Sequence, residues 1–490
     1  MLSSAIDQSA VARVMGIAVI FQDLRGGNAA LLPQVLGVVG QGNDAATYPL
    51  TKQQVTTSTQ AGEIYGYGSP IHLAVEKLKP ASGIGGVGTI PVYIHPLNKA
   101  VGATASAGDV VGVGVMTENA AYRVKVNNIE SNQVIMLTGE TFAARASDFA
   151  DAVSAVLKMP VLAVDNAGTL ELTAKASGDL GNDLFIEIEG PDAGVTFAVT
   201  QPGGGAGTSD VKDALATVGD TWETMLLNTL EISSSDTLDD YKFWGFDRWN
   251  PLVHKPVIVF TGYTGSKANI TDVTDTRKDD FINSQLVAPS SNDLPYVVAA
   301  AELAEIASLA NNNPAVDYGS LEVPSVNNGN DEDQMIYVER DAAVKGGSST
   351  VLVRDGVMNL QDIVTMYHPS GEDIPPFRYV VDIVKEMQVV YNLALIFNGK
   401  PWDGAPLIPN DQPTTNPAAR KPKDAVAELA ALTDSLGSFA VLSAPAESKP
   451  LIRAEISALN PKRLDICYPH FLSGNANIIS IDSKFSFYLG

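Results

Sequence analysis

The C-terminal end of the chain carries its most regular alternation of apolar and polar residues. The apolar parity contains Ile479, Ile481, Ser483, Phe485, Phe487 and Leu489. The polar parity contains Ser480, Asp482, Lys484 and Ser486. Because successive side chains of a strand point to opposite faces, this alternation predicts an extended strand with one apolar face. A second alternation predicts a strand at the N-terminal end, where one parity contains Val11, Arg13, Met15, Ile17, Val19 and Phe21.

Between these ends, strand and helix patterns alternate. The stretch QVLGVVGQG predicts a buried strand, SPIHLAVEKLKP a helix that Pro80 ends, and TIPVYIHPL another strand. Further on, KPVIVFTGYTG has the length and apolar content of a buried parallel strand, and NDLPYVVAAAELAEIASLANNN runs into an alanine-rich helix. The alternation predicts an α/β unit whose sheet is covered on both faces.

A different composition interrupts this unit between residues 98 and 205. Glycine, alanine, serine and threonine accompany short strand patterns such as AYRVKV and TLELTAKA. One helix is predicted among them, with Ser147 as its N-cap. Its buried face is predicted to contain Phe149, Val153, Val156 and Leu157. The glycine-rich stretch 203–207 closes the segment, which we interpret as a small, mainly β domain inserted into the α/β unit.

The last third of the chain, from residue 331, mixes short strands with two helices. The first helix is predicted over residues 379–397, with Val380, Val384, Met387, Tyr391 and Leu395 on one stripe. The second begins near Pro422 and ends at Gly437, as helix-capping preferences predict. A hairpin is predicted from PLIRAEISAL and RLDICYPHFL.

Composition narrows the classes of function. The 490 residues are 45% hydrophobic and 18% charged, which is typical of globular chains of two to four domains. A net charge of −24 makes direct nucleic-acid binding unfavourable. The one cysteine, Cys467, is interpreted as a small buried hydrophobic residue. No secretory signal and no apolar run long enough to span a membrane are recognisable, so we expect assembly in the cytoplasm.

One motif suggests a nucleotide site. Gly83, Gly85 and Gly88 have the G-x-G-x-x-G spacing of a dinucleotide-binding turn. That turn functions between a strand and a helix N-terminus, whereas here the predicted helix precedes the glycines and the strand follows them. A flexible turn is therefore favoured, and a nucleotide-binding α/β enzyme using the turn remains the alternative.

Other chemical motifs are weak. The five histidines lack metal-ligand spacing, no G-x-S-x-G elbow occurs, and the run from Asp331 to Asp333 lacks the pattern of a calcium loop. Gly262 and Gly265 follow a strand, but the glycine-lysine order of a P-loop is absent. A distant Ser-His-Asp arrangement stays open, since its members need not be close in sequence. We expect no catalytic residues, no metal and no cofactor.

The two terminal strands raise the question of what pairs with them, since open strands with apolar faces are prone to association. They complete either a sheet of their own chain or a sheet of a neighbouring copy by strand addition. In the second case each contact is heterologous, and its repetition generates rings or helical arrays.

The order of these features resembles the tail sheath proteins of contractile bacteriophage tails, a family that includes the sheaths of R-type pyocins. The local resemblances are GYGSPIHLAVEKLK with the following PVYIHPL, the inserted TAKASGDLGNDLFIEI, the helix FRYVVDIVKEMQVVYNLALIF, and the closing EISALNPKRLDICYPHFLSGNANIISIDSKFSFYLG. The resemblance in order covers nearly the whole chain and is greatest over residues 375–490.

The resemblance implies an α/β class and a multidomain α+β organisation. It implies a subtilisin-like, non-catalytic core domain over residues 28–97 and 206–330, with a β-rich protrusion domain inserted at 98–205. A C-terminal α+β sheath domain is expected over 331–477. Extended strand arms are expected over 1–27 and 478–490, with Met15, Ile17, Val19, Phe21, Ile479, Ile481, Phe485 and Phe487 in contacts between subunits.

The resemblance also implies a structural role rather than an enzymatic one. Family members form hexameric rings stacked helically around an inner tube, and the sheath contracts to drive the tube through the host envelope. The implied partners are further copies of the chain, the tail tube protein, and baseplate and tail terminator proteins, without direct nucleic-acid contact or membrane insertion. The implied location is the virion tail, assembled in the host cytoplasm.

A basic cluster is the candidate for contact with the tube. Arg420, Lys421 and Lys423 lie at the start of a predicted helix in an otherwise acidic chain. Because basic residues oppose the dipole at a helix N-terminus, a partner anion would explain them, and a solvated helix start is the alternative. A surface adhesin or layer protein is a third class of function, which would require export.

Overall fold

The computed structural model describes residues 29–232, 235–371 and 376–485, apart from the side chains of Ser235 and Asp331. The chain divides into two compact units. The larger contains Leu31–Gln388 and Asn475–Gly490, and the smaller contains Met1–Ala30 and Val389–Gly474. This division lies further along the chain than the boundary expected at residue 331.

The α-helices of the described residues, in chain order, are α1 (Ser58–Tyr65), α2 (Pro70–Leu78), α3 (Phe142–Ser154), α4 (Lys212–Ala216), α5 (Ser235–Trp249), α6 (Pro295–Asn312), α7 (Tyr337–Lys345), α8 (Val380–Phe397), α9 (Pro422–Ser438) and α10 (Pro445–Ser448).

The first eleven strands are β1 (Leu36–Gln41), β2 (Gln53–Val55), β3 (Val92–Leu97), β4 (Ala107–Gly114), β5 (Ala120–Val126), β6 (Ile129–Glu130), β7 (Val134–Met136), β8 (Val161–Asn166), β9 (Thr169–Ala174), β10 (Ile186–Glu189) and β11 (Val195–Gly203). The later strands are β12 (Met225–Asn228), β13 (Ile258–Tyr263), β14 (Asn283–Val287), β15 (Thr350–Arg354), β16 (Val357–Asp362), β17 (Leu442–Ser443), β18 (Arg453–Ile456), β19 (Leu464–Cys467) and β20 (Phe471–Leu472).

A six-stranded sheet forms the core of the larger unit, in the order β14-β13-β12-β1-β3-β2. All neighbouring strands are parallel except β2, which pairs antiparallel with β3 at the edge. Every residue of β1, β12 and β14 is buried, as expected for parallel strands covered on both faces. The predicted α/β class is thus observed.

Gly262 explains how α6 approaches this sheet. A Cβ atom at Gly262 of β13 would lie 1.7 Å from the backbone oxygen of Pro295, the first residue of α6. Only glycine therefore allows the helix to begin so close to the strand. The glycine that partly resembles a P-loop in the sequence serves helix packing in the structure.

The chain leaves the core sheet after β3 and returns to it at β12. The intervening segment forms two further sheets, one of β10, β5, β6 and β7 and one in the order β11-β4-β9-β8. Helix α3 packs against both, and its Phe142 and Phe149 rings are 5.1 Å apart. This segment is rich in β-strands, as the sequence predicts.

Two details of α3 differ from the prediction. The N-cap is Thr141 rather than Ser147, because the Thr141 hydroxyl accepts a hydrogen bond from the backbone N–H of Ala144. Ser147 lies inside the helix. Leu157 was predicted to be buried but is 62% exposed, because α3 ends at Ser154.

The smaller unit is built around α9. Leu429, Leu432 and Leu436 of this helix are buried. Two antiparallel strand pairs accompany it, β17 with β20 and β18 with β19. Helix α9 begins at Pro422 as predicted and ends one residue beyond the predicted Gly437.

Glu302 is a carboxyl buried completely inside the larger unit. It lies in α6 with a fully buried side chain, and neither carboxylate oxygen has a hydrogen-bond partner among the described residues. Burial raises its pKa well above the usual range, an effect that the nearby backbone N–H of Val287 only partly offsets. The folded protein therefore binds this proton more tightly than the unfolded chain. Folding stability from this group falls as the pH rises through the folded-state pKa.

We expect Glu302→Gln to raise the thermal unfolding midpoint at pH 8.5, because glutamine cannot ionise in the buried site. The increase in the unfolding midpoint should be smaller at pH 5.5. Each kcal/mol of unfolding free energy should change the midpoint by about 2–4 °C. The control is Glu305→Gln on the same helix, at a half-buried carboxyl whose pKa burial also raises. Equal shifts at both pH values, or a Glu305→Gln shift as large, would contradict this account. Calorimetric scans at the two pH values measure it.

Candidate functional site

The β18–β19 hairpin has one apolar and one polar face. Ala454, Ile456, Leu464 and Ile466 alternate with the residues of the polar face and are half-buried. Strand β18 contacts helix α9, so the apolar face has a surface on which to pack. The opposite face carries Arg453, Glu455, Asp465 and Cys467. The hairpin predicted from the sequence is therefore present, in the arrangement expected of a sheet solvated on one side.

Within the described residues, neither strand of this hairpin has a backbone hydrogen-bonded partner on its outer edge. A two-stranded sheet is marginally stable by itself, and its open edges present unpaired N–H and C=O groups. The hairpin thus offers two edges to which a further strand could be added.

Cys467 corrects one prediction. The sequence suggested a buried residue, but Cys467 is a free, exposed cysteine. It pairs with Arg453 across the hairpin and therefore lies on the polar face. Its apolar neighbours Leu464 and Ile466 point to the opposite, apolar face of the hairpin. A short apolar run in the sequence does not show to which face each residue points.

The predicted basic cluster lies at the start of α9, but its members differ in their contacts. The Lys421 ammonium donates to the backbone oxygen of Gln412, and Nη1 of Arg420 donates to those of Pro417 and Ala419. Asp424, in the first turn, accepts a hydrogen bond from the backbone N–H of Lys421 and offsets the unfavourable charge at the helix N-terminus. Lys423 is exposed, and its ammonium has no partner among the described contacts. Lys423 is thus the member best placed to meet another protein.

The described part of the C-terminal arm, residues 478–485, forms no strand within its own chain. Its apolar side chains are almost fully exposed, at 76% for Ile479, 81% for Ile481 and 93% for Phe485. A contiguous apolar face left in water marks an interaction surface. Phe487 of this arm, and Met15, Ile17, Val19 and Phe21 of the N-terminal arm, lie outside the described residues.

The root of the C-terminal arm is held firmly in the larger unit. The Asn475 amide accepts a hydrogen bond from Lys385 Nζ at 2.6 Å and donates one to the backbone oxygen of Ala315 at 2.9 Å. Two residues later, Asn477 donates to a carboxylate oxygen of Asp317 at 2.7 Å. The Lys385 side chain is fully buried and also forms an ion pair with Asp382 at 3.1 Å. The arm therefore leaves the unit immediately after Asn477.

The glycine turn is exposed and lies in the order that the sequence predicts. Gly83, Gly85 and Gly88 have φ angles of 69°, 79° and 55°, and a Cβ atom at each would meet no neighbour within 4 Å. Helix α2 precedes the turn and strand β3 follows it. No helix N-terminus faces these glycines from the following segment, so the feature that binds pyrophosphate in dinucleotide folds is missing from this turn.

The structure joins three polar residues that sequence analysis did not connect. His95 of β3 lies with Nε2 2.8 Å from Glu223 Oε2 and Nδ1 2.6 Å from the Thr217 hydroxyl. This order resembles a hydroxyl-imidazole-carboxylate triad. However, the Thr217 hydroxyl donates its proton to the Ala214 carbonyl, and His95 and Glu223 are fully buried.

Gly37 of β1 makes this network sterically feasible. A Cβ atom at Gly37 would lie 2.3 Å from Glu223 Oε2. The carboxylate also pairs with Lys52. The network thus ties β3 to the segment before β12 across the central strand. No sequence spacing could have revealed it, because its members are far apart in the chain.

A second unpredicted group lies at the carboxyl ends of β12 and β13. Asp183 and Glu231 line a cavity of about 170 Å³ together with Tyr263 and Tyr296. Burial, and next the neighbouring Glu231 carboxylate, raise the pKa of Asp183 to about 7. The Asp183 carboxyl therefore keeps its proton to a higher pH than an ordinary aspartate does. No group of three or more His, Cys, Asp or Glu side chains placed to hold a metal occurs among the described residues.

Comparison with known proteins identifies a relative. No family model matches the chain. The chain is 23% identical over 344 residues to the Mu-like prophage FluMu tail sheath protein of Haemophilus influenzae, which covers 67% of each sequence. The predicted resemblance to tail sheath proteins is confirmed.

Solved structures of sheath proteins also align with the chain. The sheath tail protein of Desulfitobacterium hafniense is 11% identical, covers 90% of this chain and 93% of its own, and gives a TM-score of 0.45. The sheath tail protein Lin1278 of Listeria innocua is 10% identical, with coverages of 92% and 94% and a TM-score of 0.47. The contracted helical sheath of the anti-feeding prophage is 9% identical, with coverages of 96% and 99% and a TM-score of 0.43. In the described residues, no helix combines the length and apolarity needed to cross a membrane.

The arm root generates a stability prediction. Removing residues 475–490 deletes the Asn475 acceptor of the buried Lys385, whereas removing 478–490 leaves that contact intact. We expect the longer deletion, and Asn475→Ala in the full chain, to destabilise the larger unit by about 1.5–3 kcal/mol, the range for hydrogen bonds to charged groups.

The matched deletion of residues 478–490 should leave the unfolding midpoint unchanged. Thermal unfolding of the three variants beside the full chain measures the difference. Equal midpoints for the two deletions would contradict the anchoring role of Asn475.

Proposed function

We propose that this protein is the structural subunit of a contractile tail sheath. In this proposal it polymerises as stacked hexameric rings around an inner tail tube and contracts to drive the tube through the host envelope. The observation that carries the proposal is the sequence similarity to the Mu-like prophage tail sheath protein. The described part of the C-terminal arm, residues 478–485, supports it independently, because its apolar side chains are exposed and it pairs with no strand of its own chain.

Strand addition is the proposed link between subunits. The arm presents an apolar face of Ile479, Ile481 and Phe485. The β18–β19 hairpin has open edges and one apolar face that packs beside a helix. An arm of one copy added to a hairpin edge of another copy would pair its backbone and align its apolar face with that of the hairpin. The N-terminal arm is proposed to act in the same way.

Favourable binding of the arm requires both its backbone hydrogen bonds and the burial of its apolar face. A net hydrogen bond contributes about 0.5–1.5 kcal/mol, which is no more than the about 1–2 kcal/mol lost on ordering each residue. Full burial of a side chain such as Phe485 adds about 1.5–3 kcal/mol. Binding of the arm therefore depends on its apolar parity, and arms so held would keep copies connected while their bodies rearrange during contraction.

The proposed partners are further copies of the chain, the tail tube protein, and baseplate and tail terminator proteins. The proposed location is a virion tail assembled in the host cytoplasm, without direct nucleic-acid contact. We retain the inference that the core is subtilisin-like but non-catalytic, which the parallel central sheet supports. The alternative, a nucleotide-binding enzyme, would be favoured by saturable nucleotide binding that Gly83→Val and Gly85→Val abolish.

Polymerisation should depend on the apolar parity of the arm. We expect the triple variant Ile479→Ser, Ile481→Ser, Phe485→Ser to remain folded and to form no tubes, because its added strand would lack a face to bury. The control changes the other parity, with Ser480→Ala, Asp482→Ala and Lys484→Ala, and should retain tubes. Negative-stain microscopy with circular dichroism compares them. Normal tubes from the apolar-face variant would contradict the proposal.

Contact with the tube should depend on Lys423. Reversing its charge with Lys423→Glu is expected to lower co-sedimentation of sheath polymers with the tail tube protein by about tenfold, corresponding to about 1.4 kcal/mol. The matched control is Lys462→Glu, at an exposed lysine in the β18–β19 turn. An unchanged Lys423→Glu variant, or an equal loss in the control, would argue against this contact.

A further inference from the structure

A groove surrounds the arm root in the larger unit. It has a volume of about 530 Å³, and its walls are helix α7, the β15–β16 hairpin, the 316–320 loop and residues 475–478. We call it the arm-root groove. Its rim contains an exposed Val316, and the first exposed residue of the arm, Ile478, lines it.

Helix α7 leaves an unusually apolar surface beside this groove. Three consecutive residues at its start, Ile336, Tyr337 and Val338, are 63%, 68% and 69% exposed. Among the residues of the helix itself, Ala343 is the buried one. Single exposed apolar residues are ordinary, but here three follow one another at a helix start, and one of them, Tyr337, also lines the groove.

Polar atoms at the groove also lack partners. Oε1 of Gln361 and Nε of Arg340 are buried and have no hydrogen-bond partner among the described residues. Both residues line the groove. These two atoms are themselves inaccessible, so a docking copy would contact the exposed parts of the two side chains.

The charge of the groove suits a second copy of the same chain. Copies with a net charge of −24 repel each other over most of their surface. The groove, in contrast, is lined by Arg340 and Arg354 beside Asp317, Asp341 and Asp362. Because positive and negative side chains nearly balance at the groove, another acidic copy would be repelled less there than at the rest of the surface.

The arm limits how far away that copy can be. The arm begins at the groove with Ile478, and the 13 residues from 478 to 490 would reach about 44 Å if fully extended at about 3.4 Å per residue. A copy that pairs with the arm must therefore lie within this distance of the groove. The arm departs from this mainly polar groove, beside the exposed apolar residues at the start of α7.

We propose that the arm-root groove and residues 336–338 form a docking surface for the body of a second copy of this chain, separate from strand addition by the arm. This inference rests on the proposed function, because it requires that copies associate. Strand addition keeps copies tethered, and docking at the groove fixes their mutual orientation.

The test introduces a charge at the apolar surface. Val338→Glu should raise the protein concentration needed for polymerisation by about tenfold or more, corresponding to about 1.4 kcal/mol. The arm remains intact in this variant. The control is Leu252→Glu, which adds the same charge at a loop residue that is 91% exposed, and it should polymerise as the unaltered chain does. Light scattering and negative-stain microscopy measure polymerisation, and thermal unfolding verifies the fold.

A second experiment avoids introducing a charge, so it does not depend on whether the fold tolerates glutamate at position 338. Val338→Cys in a Cys467→Ser background carries a single thiol, which a photoactivatable maleimide should cross-link to a second copy in polymers. Cross-linked dimers, located by mass spectrometry, would support docking. Polymers without such cross-links, together with unaltered polymerisation of Val338→Glu, would overturn the inference and leave the sheath proposal standing. Absence of polymers from the unaltered chain would instead overturn both.

Discussion

The tendency of open strand edges to pair with a further strand is the constraint on which our account of this protein depends. In the larger unit the central strands satisfy it internally, since β1, β12 and β13 have partners on both sides. The β18–β19 hairpin and the segment after Asn477 do not satisfy it within the described residues. These unpaired segments are the observation on which the proposed association with further copies rests.

The start of the C-terminal arm is fixed to the larger unit by contacts of Asn475 and Lys385. Lys385 is buried, and its contacts with Asp382 and Asn475 place the start of the arm in one position. In the proposed sheath, an arm fixed at its root and a separate body contact would allow copies to change their mutual orientation without separating.

The spacing of apolar residues predicted those helices and strands whose buried face is evident from their own sequence. The helices α2, α6, α8 and α9 and the strands β1, β3 and β13 follow directly from apolar spacing and from proline or glycine at their ends. Strand β14 escaped notice because its sequence NSQLV is polar, although all five residues are buried. Its side-chain amide N–H groups find distant partners, since Asn283 donates to the Leu238 carbonyl and Gln285 to that of Ile270. The contact between His95 and Glu223 was likewise not predictable, because the two residues are far apart in the sequence.

The exposure of Cys467 depends on which face of the β18–β19 hairpin packs on α9. An alternation of only four residues does not decide between the two faces. The alternation in the C-terminal segment is visible in the sequence because it needs no tertiary partner, although residues 478–485 form no strand within their own chain. The strand predicted at the N-terminal end stays a prediction.

Hydrogen–deuterium exchange of the C-terminal arm tests the central claim most directly. The amides of residues 478–490 should exchange rapidly in dispersed protein and become strongly protected in polymers, together with the outer edges of β18 and β19. Polymers in which these amides exchange as fast as in dispersed protein would contradict strand addition as the link between copies.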